Sequence, residues 1–394
     1  MRNRILGVSS AVFILGLVSF ITDTSSEIMN PILPIFITLL GGGGIAVGLV
    51  SALSESISSF LKVYSGHIAD KTEEHKKLAF LGYLISSLSK LAIPFSTHWS
   101  MVAASKSVER IGKGVRTSPR DALIAKVSAE TVRGKAFGLH RAMDTLGAVV
   151  GSLLCLMLLL YFGEENFGLG TIRNIILIGA IISFFALPPF IFLKVSKGIP
   201  SKRSLRMKMR SMDQRFRLFL VSVSLFALGN INYMFFILRV YEKGNDFYSV
   251  ILSIIFYIVF NISYALIAYP TGKLSDKIGS FPILMIAYIT TCISFLIIAV
   301  SASTLSLLVS FILYGLGFGT SDTLQRKVVS LFPVEKGFAM GMYHTIYGIS
   351  VLFGGVIWGF LWEIKPTLTF LFGSFLVGTA AMVLSIVQKM EMFK

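Results

Sequence analysis

The chain has 394 residues, of which 54% are hydrophobic and only 14% charged, with 33 Phe and a mean hydropathy of +0.78. A soluble domain carries about a quarter charged residues and gathers its apolar ones into stripes, so a soluble enzyme is excluded and lipid is the main solvent. The formal charge of +16 does not indicate nucleic acid, because the basic residues crowd into alternate loops, the cytoplasmic-positive pattern of a polytopic membrane protein.

A bilayer core of about 30 Å needs roughly 20 residues per helix. Twelve runs meet that length: 8–38, 45–69, 78–97, 99–125, 136–161, 172–194, 216–241, 248–275, 282–302, 304–327, 338–362 and 366–388. Arg2 and Arg4 precede the first run, and its lead into Asp23 and Glu27 lacks a small-residue cleavage pattern, so it is expected to stay as a span. Lys71, Lys76 and Lys77 follow the second run, Arg133 and Lys135 the fourth, and a dense basic stretch from Lys194 to Arg217 the sixth. The connections near Gly41–Gly44, Thr97–Trp99 and Ser301–Thr304 carry no basic residue, with Arg173, Lys243 and Lys365 as isolated exceptions. Alternating loop charge predicts a multi-pass cell-membrane protein with both termini cytoplasmic. Segment 195–215 then links an N-terminal half, 1–194, to a C-terminal half, 216–394, and is suited to anionic lipid headgroups. Cys155 and Cys292 each sit inside an apolar run and read as small buried hydrophobes.

The two halves repeat. Gly66-His67-Ile68-Ala69-Asp70-Lys71 after the second run matches Gly272-Lys273-Leu274-Ser275-Asp276-Lys277 after the eighth, and Gly134, Ala136 and Gly138 align with Gly337, Ala339 and Gly341 at nearly the same offset. Two signatures in register indicate a duplicated six-helix unit. Gly-x-x-x-Asp-Lys in the loop between helices two and three, repeated between eight and nine, resembles the signature loop of the major facilitator superfamily, and Arg110-Ile111-Gly112-Lys113-Gly114 resembles its helix-four motif. A narrower likeness is to prokaryotic members with Asp23 to Glu27 as Asp-x-Ser-Ser-Glu and with the Arg110 to Ala122 pattern. The resemblance implies an all-α fold of twelve transmembrane helices in two pseudo-symmetric halves. It departs after Lys71, where Thr72-Glu73-Glu74 replaces the expected Gly and basic residues, and at Ser152, where drug/proton antiporters carry proline.

Gly66 and Gly272 are expected to let helices approach closely, with Asp70 and Asp276, next to Lys71 and Lys277, meeting a helix N-terminus or a cation as a gate that breaks when the halves rock. Ionisable groups at membrane depth are costly and face a cavity or a partner. They concentrate in the first half: Asp23, Glu27, Glu55, Lys62, Lys90, Lys106, Glu109, Arg110, Lys113, Arg116, Arg120, Asp121, Arg141 and Asp144. Asp23, Glu27, Asn30 and Pro34 form a polar stripe at helical spacing. Counted at 1.5 Å per residue, Arg110 lies about 16 Å from Trp99 and Asp144 about 13 Å from Lys135, depths at which the two can meet. His140, one turn before Asp144, is a proton-partner candidate. Asn230, Asn261, Gln325 and His344 are the polar candidates of the second half, expected to face a cavity.

No phosphate-binding Gly-x-x-x-x-Gly-Lys-Ser/Thr loop, His-Glu-x-x-His or Gly-x-Ser-x-Gly motif occurs, which argues against ATP-driven transport and membrane-embedded catalysis. The sequence therefore predicts a secondary transporter working by alternating access on a small solute. It is expected to act as a monomer, without metal or cofactor, with a proton as coupling ion. Export of an amphipathic or toxic solute is the first expectation; uptake of an organic anion or small metabolite is the second.

Overall fold

A computed structural model describes residues 4–5, 8–129, 132–163, 167–193, 213–334 and 336–392, without the side chains of 4, 5, 63, 70, 336, 337, 391 and 392. After a two-residue antiparallel ladder, Arg4–Ile5 with Val8–Ser9, everything regular is helical. In chain order the helices are α1 Ser10–Met29, α2 Leu33–Leu39, α3 Gly44–Thr72, α4 His75–Ala92, α5 Trp99–Val127, α6 Arg133–Gly163, α7 Leu169–Phe184, α8 Pro189–Phe192, α9 Gln214–Gly229, α10 Tyr233–Tyr241, α11 Phe247–Ile278, α12 Ser280–Val300, α13 Thr304–Leu331, α14 Lys336–Ile364 and α15 Pro366–Met392. All twelve expected runs are therefore helical, and three of them (α1/α2, α7/α8 and α9/α10) are broken.

The breaks have identifiable causes. Pro31 and Pro34 cannot donate to the helix ladder, and α1 gives way at Asn30–Ile32. In the corresponding span of the second half, Asn230 ends α9, and Asn232 restarts the chain by accepting from Met234 N at 3.1 Å. A break in lipid frees carbonyls that need partners. Trp358 Nε1 donates to Leu228 O at 2.8 Å and Tyr314 Oη to Ile231 O at 2.8 Å.

Among the described residues, eleven spans are long and apolar enough to cross a membrane. α5 is also long, at 29 residues, but Lys106, Glu109, Arg110, Lys113, Arg116, Arg120 and Asp121 make it too polar for lipid contact. Its Lys106, Glu109 and Arg116 are buried in protein.

The chain forms two compact units: 1–41 with 57–205, and 42–56 with 206–394, so α3 contributes to both. In the first unit α1 packs on α6 and α7, and α4 on α5 and α7. In the second unit α9 packs on α14 and α15, and α12 on α13 and α15. The partner choices correspond span for span, as a duplicated unit requires. The core of the second unit is aromatic: Phe236 stacks on Tyr314 at 4.5 Å and Tyr314 on Phe260 at 5.2 Å.

Candidate functional site

The charged interior of the first unit is built around α5. A Cβ on Gly112 would lie 2.5 Å from Gly82 O of α4, and one on Gly82 would lie 2.6 Å from Gly112 O, so the two helices cross at backbone contact. A Cβ on Gly114 would lie 2.5 Å from Leu61 Cβ of α3. Hydroxyls complete that second contact: Ser65 Oγ donates to Gly114 O at 2.8 Å and Ser118 Oγ to Lys62 O at 2.6 Å. The glycines of Arg110-Ile111-Gly112-Lys113-Gly114 thus fit α5 closely to α4 and α3. The same placement brings Lys113 and Arg116 within electrostatic reach of Asp23 on α1.

Two polar networks result. The first runs from the break in the first span: Asn30 Nδ2 donates to Glu27 Oε1 at 2.9 Å, and Lys106 Nζ reaches Asn30 Oδ1 at 3.5 Å and Glu109 Oε2 at 3.2 Å. Arg110 Nε lies 3.2 Å from the same Glu109 oxygen. In the second, Arg120 Nη1 donates to Ser19 Oγ at 3.0 Å, and Ser19 Oγ lies 2.9 Å from His140 Nε2 and 3.3 Å from Tyr83 Oη. His140 Nδ1 is 3.6 Å from Asp144 Oδ2. Arg120 is also paired with Asp121 at 2.9 Å, and Asp23 and Asp144 lie within electrostatic reach of each other.

The expected meeting of Arg110 with Asp144 is corrected here. Depth alone suggested it, but Arg110 is taken by Glu109 on its own helix, and Asp144 by His140 one turn back. Arg141, one residue on from His140, is exposed. Lys90, fully buried, donates to Ser26 Oγ at 2.8 Å and Ser25 Oγ at 3.0 Å and reaches Thr22 O at 3.4 Å, which ties α4 to α1.

In the second unit, Glu55 on the first part of α3 is half-buried and within electrostatic reach of Tyr314, Tyr343 and Tyr347. Gln325, expected to face a cavity, is instead buried and satisfied at both ends: its Nε2 donates to Tyr288 Oη and its Oε1 accepts from Tyr343 Oη, each at 2.9 Å. That amide joins α12, α13 and α14. Asn230 is buried at the helix break with Oδ1 lacking a hydrogen bond among the described residues. Asn261 is half-buried on α11, and His344 is half-buried with its ring edge-on to Tyr343 at 5.0 Å.

The duplicated loop motif is not symmetric in its contacts. A Cβ on Gly66 would lie 3.2 Å from Ser118 Cβ, a close helix approach as expected, whereas one on Gly272 would meet nothing within 4 Å among the described residues. Among the described residues a close helix approach is seen at the first copy and not at the second. Asp276 pairs with a cation, Lys327 Nζ of α13 at 2.5 Å, and Lys327 also donates to Ser275 Oγ. Lys71 and Lys277 are exposed at their helix ends. The Asp70 side chain lies outside the described residues, as do positions 195–212 of the basic linker.

Ser19 and Tyr83, which sequence reasoning missed, connect the second network. Ser19 stands one turn before Asp23, so the polar stripe of α1 extended further than the charged residues showed. Tyr83 gave no signal, because a tyrosine in an apolar run reads as core.

Long apolar helices, with a buried charged interior in the first unit, are the build of a membrane transporter. Residues 15–354 and 247–390 match the sequence profile of the Major Facilitator Superfamily, and the chain belongs to that family. An uncharacterised MFS-type transporter of Methanocaldococcus jannaschii is 40% identical over 376 residues, covering 94% of this chain and 92% of the relative. Multidrug resistance protein 2 of Bacillus subtilis is 23% identical over 375 residues, covering 91% and 90%. Among solved structures, a POT family transporter superposes with a TM-score of 0.79 at 13% identity, covering 98% of each chain. The nucleoside transporter NupG does so with a TM-score of 0.74 at 17% identity, covering 98% of this chain and 100% of NupG. The fold is the twelve-helix fold of these proteins, and the chain is a multi-pass membrane transporter of small-molecule solutes, not an enzyme.

Proposed function

We propose that the protein is a proton-coupled secondary transporter that exports an amphipathic or toxic solute by alternating access between its two six-span halves. The observation that carries the coupling is the carboxylate pair of the first unit. Asp23 and Asp144 lie within electrostatic reach of each other, and Asp144 Oδ1 is buried without a hydrogen bond among the described residues. Two like charges held together in a low-dielectric interior are least costly when they share a proton, and His140 and Ser19 extend from that pair toward Arg120. Export is supported by the relative named for multidrug resistance. The protein acts as a monomer with both termini cytoplasmic, and the basic composition of 195–215 suits anionic headgroups.

The test is reconstitution in liposomes with an imposed pH gradient, using solutes chosen by their thermal stabilisation of the purified chain. Asp23→Asn and Asp144→Asn should abolish gradient-driven accumulation while leaving solute exchange across the membrane. Accumulation that persists unchanged in both variants overturns proton coupling through this pair. No flux of any stabilising solute, with or without a gradient, overturns the transport reading.

A further inference from the structure

Most carboxylates of the first unit's interior are committed. Glu109 serves Lys106 and Arg110, Asp121 serves Arg120, Asp144 faces His140, and Glu27 accepts from Asn30. Lys90 is held by the hydroxyls of Ser25 and Ser26 instead of a carboxylate, which leaves three interior cations with neither. Lys62, Lys113 and Arg116 have no carboxylate within ion-pair distance among the described residues. Lys62 and Lys113 lie within electrostatic reach of each other, with Arg110, Asp23 and Glu109 as the other charged neighbours of Lys113. Lys113 and Lys62 are half-buried. Arg116 is 4% exposed, its guanidinium carbon lies 4.3 Å from the Tyr83 ring centre, and its Nη1 is buried with no hydrogen-bond acceptor among the described residues. Asp23 cannot neutralise all three, since Arg120 and Asp144 are also its neighbours.

Clustered cations repel one another, and a desolvated guanidinium N–H without an acceptor is unfavourable. Both costs are relieved by one ligand, an oxyanion. The planar fork of an arginine matches the two oxygens of a carboxylate or phosphate, while lysines add point charge.

We propose that Arg116, Lys113 and Lys62 form an oxyanion receptor in the first unit, taking the carboxylate or phosphate group of an amphipathic solute or of a lipid headgroup. Tyr83 holds the guanidinium from one side by a cation–π contact. The proposal rests on the transporter reading and gives its solute a charge.

Binding separates this from coupling, because it is measured without a gradient. The full chain in phosphatidylcholine nanodiscs is titrated by calorimetry with 4-phenylbutyrate, phenyl phosphate and 4-phenylbutylamine. The two anions should bind and the amine should not. Lys113→Gln and Lys62→Gln, which touch half-buried positions and leave the buried arginine in place, should each weaken anion affinity about ten-fold, the scale of one charge-assisted hydrogen bond. Arg116→Lys should keep part of the affinity and Arg116→Gln less, with unliganded thermal melts showing that each variant is folded. Lys243→Gln, outside the receptor, should bind as the wild type. Repeating the titration with phosphatidylglycerol in the nanodiscs distinguishes the two sources. Unchanged affinity assigns the receptor to a soluble anion, and competition that disappears in Lys113→Gln assigns it to a headgroup. Equal binding of the amine overturns the proposal, as do unchanged anion affinity in both lysine variants and the absence of any anion or phosphatidylglycerol effect. All of these outcomes are read without a gradient, so a failure of proton coupling through Asp23 and Asp144 leaves them standing.

Discussion

Glu109 is the ion-pair partner of two cations, Lys106 and Arg110, and is itself 1% exposed. Removing its charge leaves two positive groups in a low-dielectric interior with no shared counter-ion, and breaking a buried pair from one side costs about 3–5 kcal/mol. Glu109→Gln should therefore destabilise the protein more than Arg110→Gln, which leaves the Lys106 pair intact; thermal melts in detergent compare the two. Equal melts would mean that Glu109 is not the shared counter-charge. The identity of these charged residues was legible in the sequence, since charges at membrane depth stand out against an apolar background. Their partners were not. Arg110 and Asp144 share a depth, but depth is one coordinate of three, and helix rotation turned each toward a nearer group. Gln325 shows the same limit in reverse: a polar residue deep in a span serves as a hydrogen-bond bridge between Tyr288 and Tyr343 instead of facing a cavity.

Between elements, backbone contact and end capping decide the architecture. At the α4–α5 crossing a side chain on Gly112 would run into Gly82 O and Ser86 Oγ at 2.5 Å. Gly112→Val should cost about 1–3 kcal/mol as an overpacking change, read as a fall in melting temperature; an unchanged melt would mean the helices separate freely there. Asp246 caps α11 by accepting from Ser249 N at 2.8 Å and Ser249 Oγ at 2.6 Å, and the hydroxyl and amide bonds from Ser249 hold its carboxyl below the usual value. A carboxylate with a lowered folded value stabilises fully above its unfolded value and loses that contribution as pH falls through the lowered one. The melting-temperature gap between wild type and Asp246→Ala should accordingly be present at neutral pH and close in acid; a gap constant with pH would exclude the charged cap. At the Asp276–Lys327 contact Asp276 is 71% exposed, so Asp276→Asn should change stability by less than about 1 kcal/mol. As a gate contact it should instead shift the balance of inward-open and outward-open states, measured by cysteine accessibility. An unaltered accessibility pattern would reduce the contact to a surface pair.

For the whole molecule, alternating loop charge predicts that 195–215 and Thr304 lie on opposite sides of the membrane. Single cysteines at Ser201 and Thr304 should label from opposite faces of intact cells, and labelling from one face would remove the twelve-span arrangement. The repeat of partner choices, α1 on α6 and α9 on α14, α4 on α5 and α12 on α13, agrees with the duplicated motifs read from the chain. Charge does not repeat. The first unit holds the buried networks of α1, α4, α5 and α6, while the second stacks rings around Tyr314 and Phe236, as the uneven distribution of ionisable residues along the chain foreshadowed.

The number of spans, the duplication and the segregation of charge were determined by the sequence alone, because lipid imposes a length and a composition on every crossing segment and loop charge is local information. The helix breaks at Asn30 and Asn230 were not read from the chain: Pro34 counts there as part of a polar stripe on one continuous span, although Pro31 and Pro34 are the local cause of the first break, and the second depended on Trp358 and Tyr314 being in place to take the freed carbonyls. Tertiary structure decided the connections through Ser19 and Tyr83, the pairing of Glu109 with two cations, and the cations left without a counter-charge. Those depend on how each helix is rotated against its neighbours, which backbone contacts such as Gly82 with Gly112 fix and which no single segment encodes.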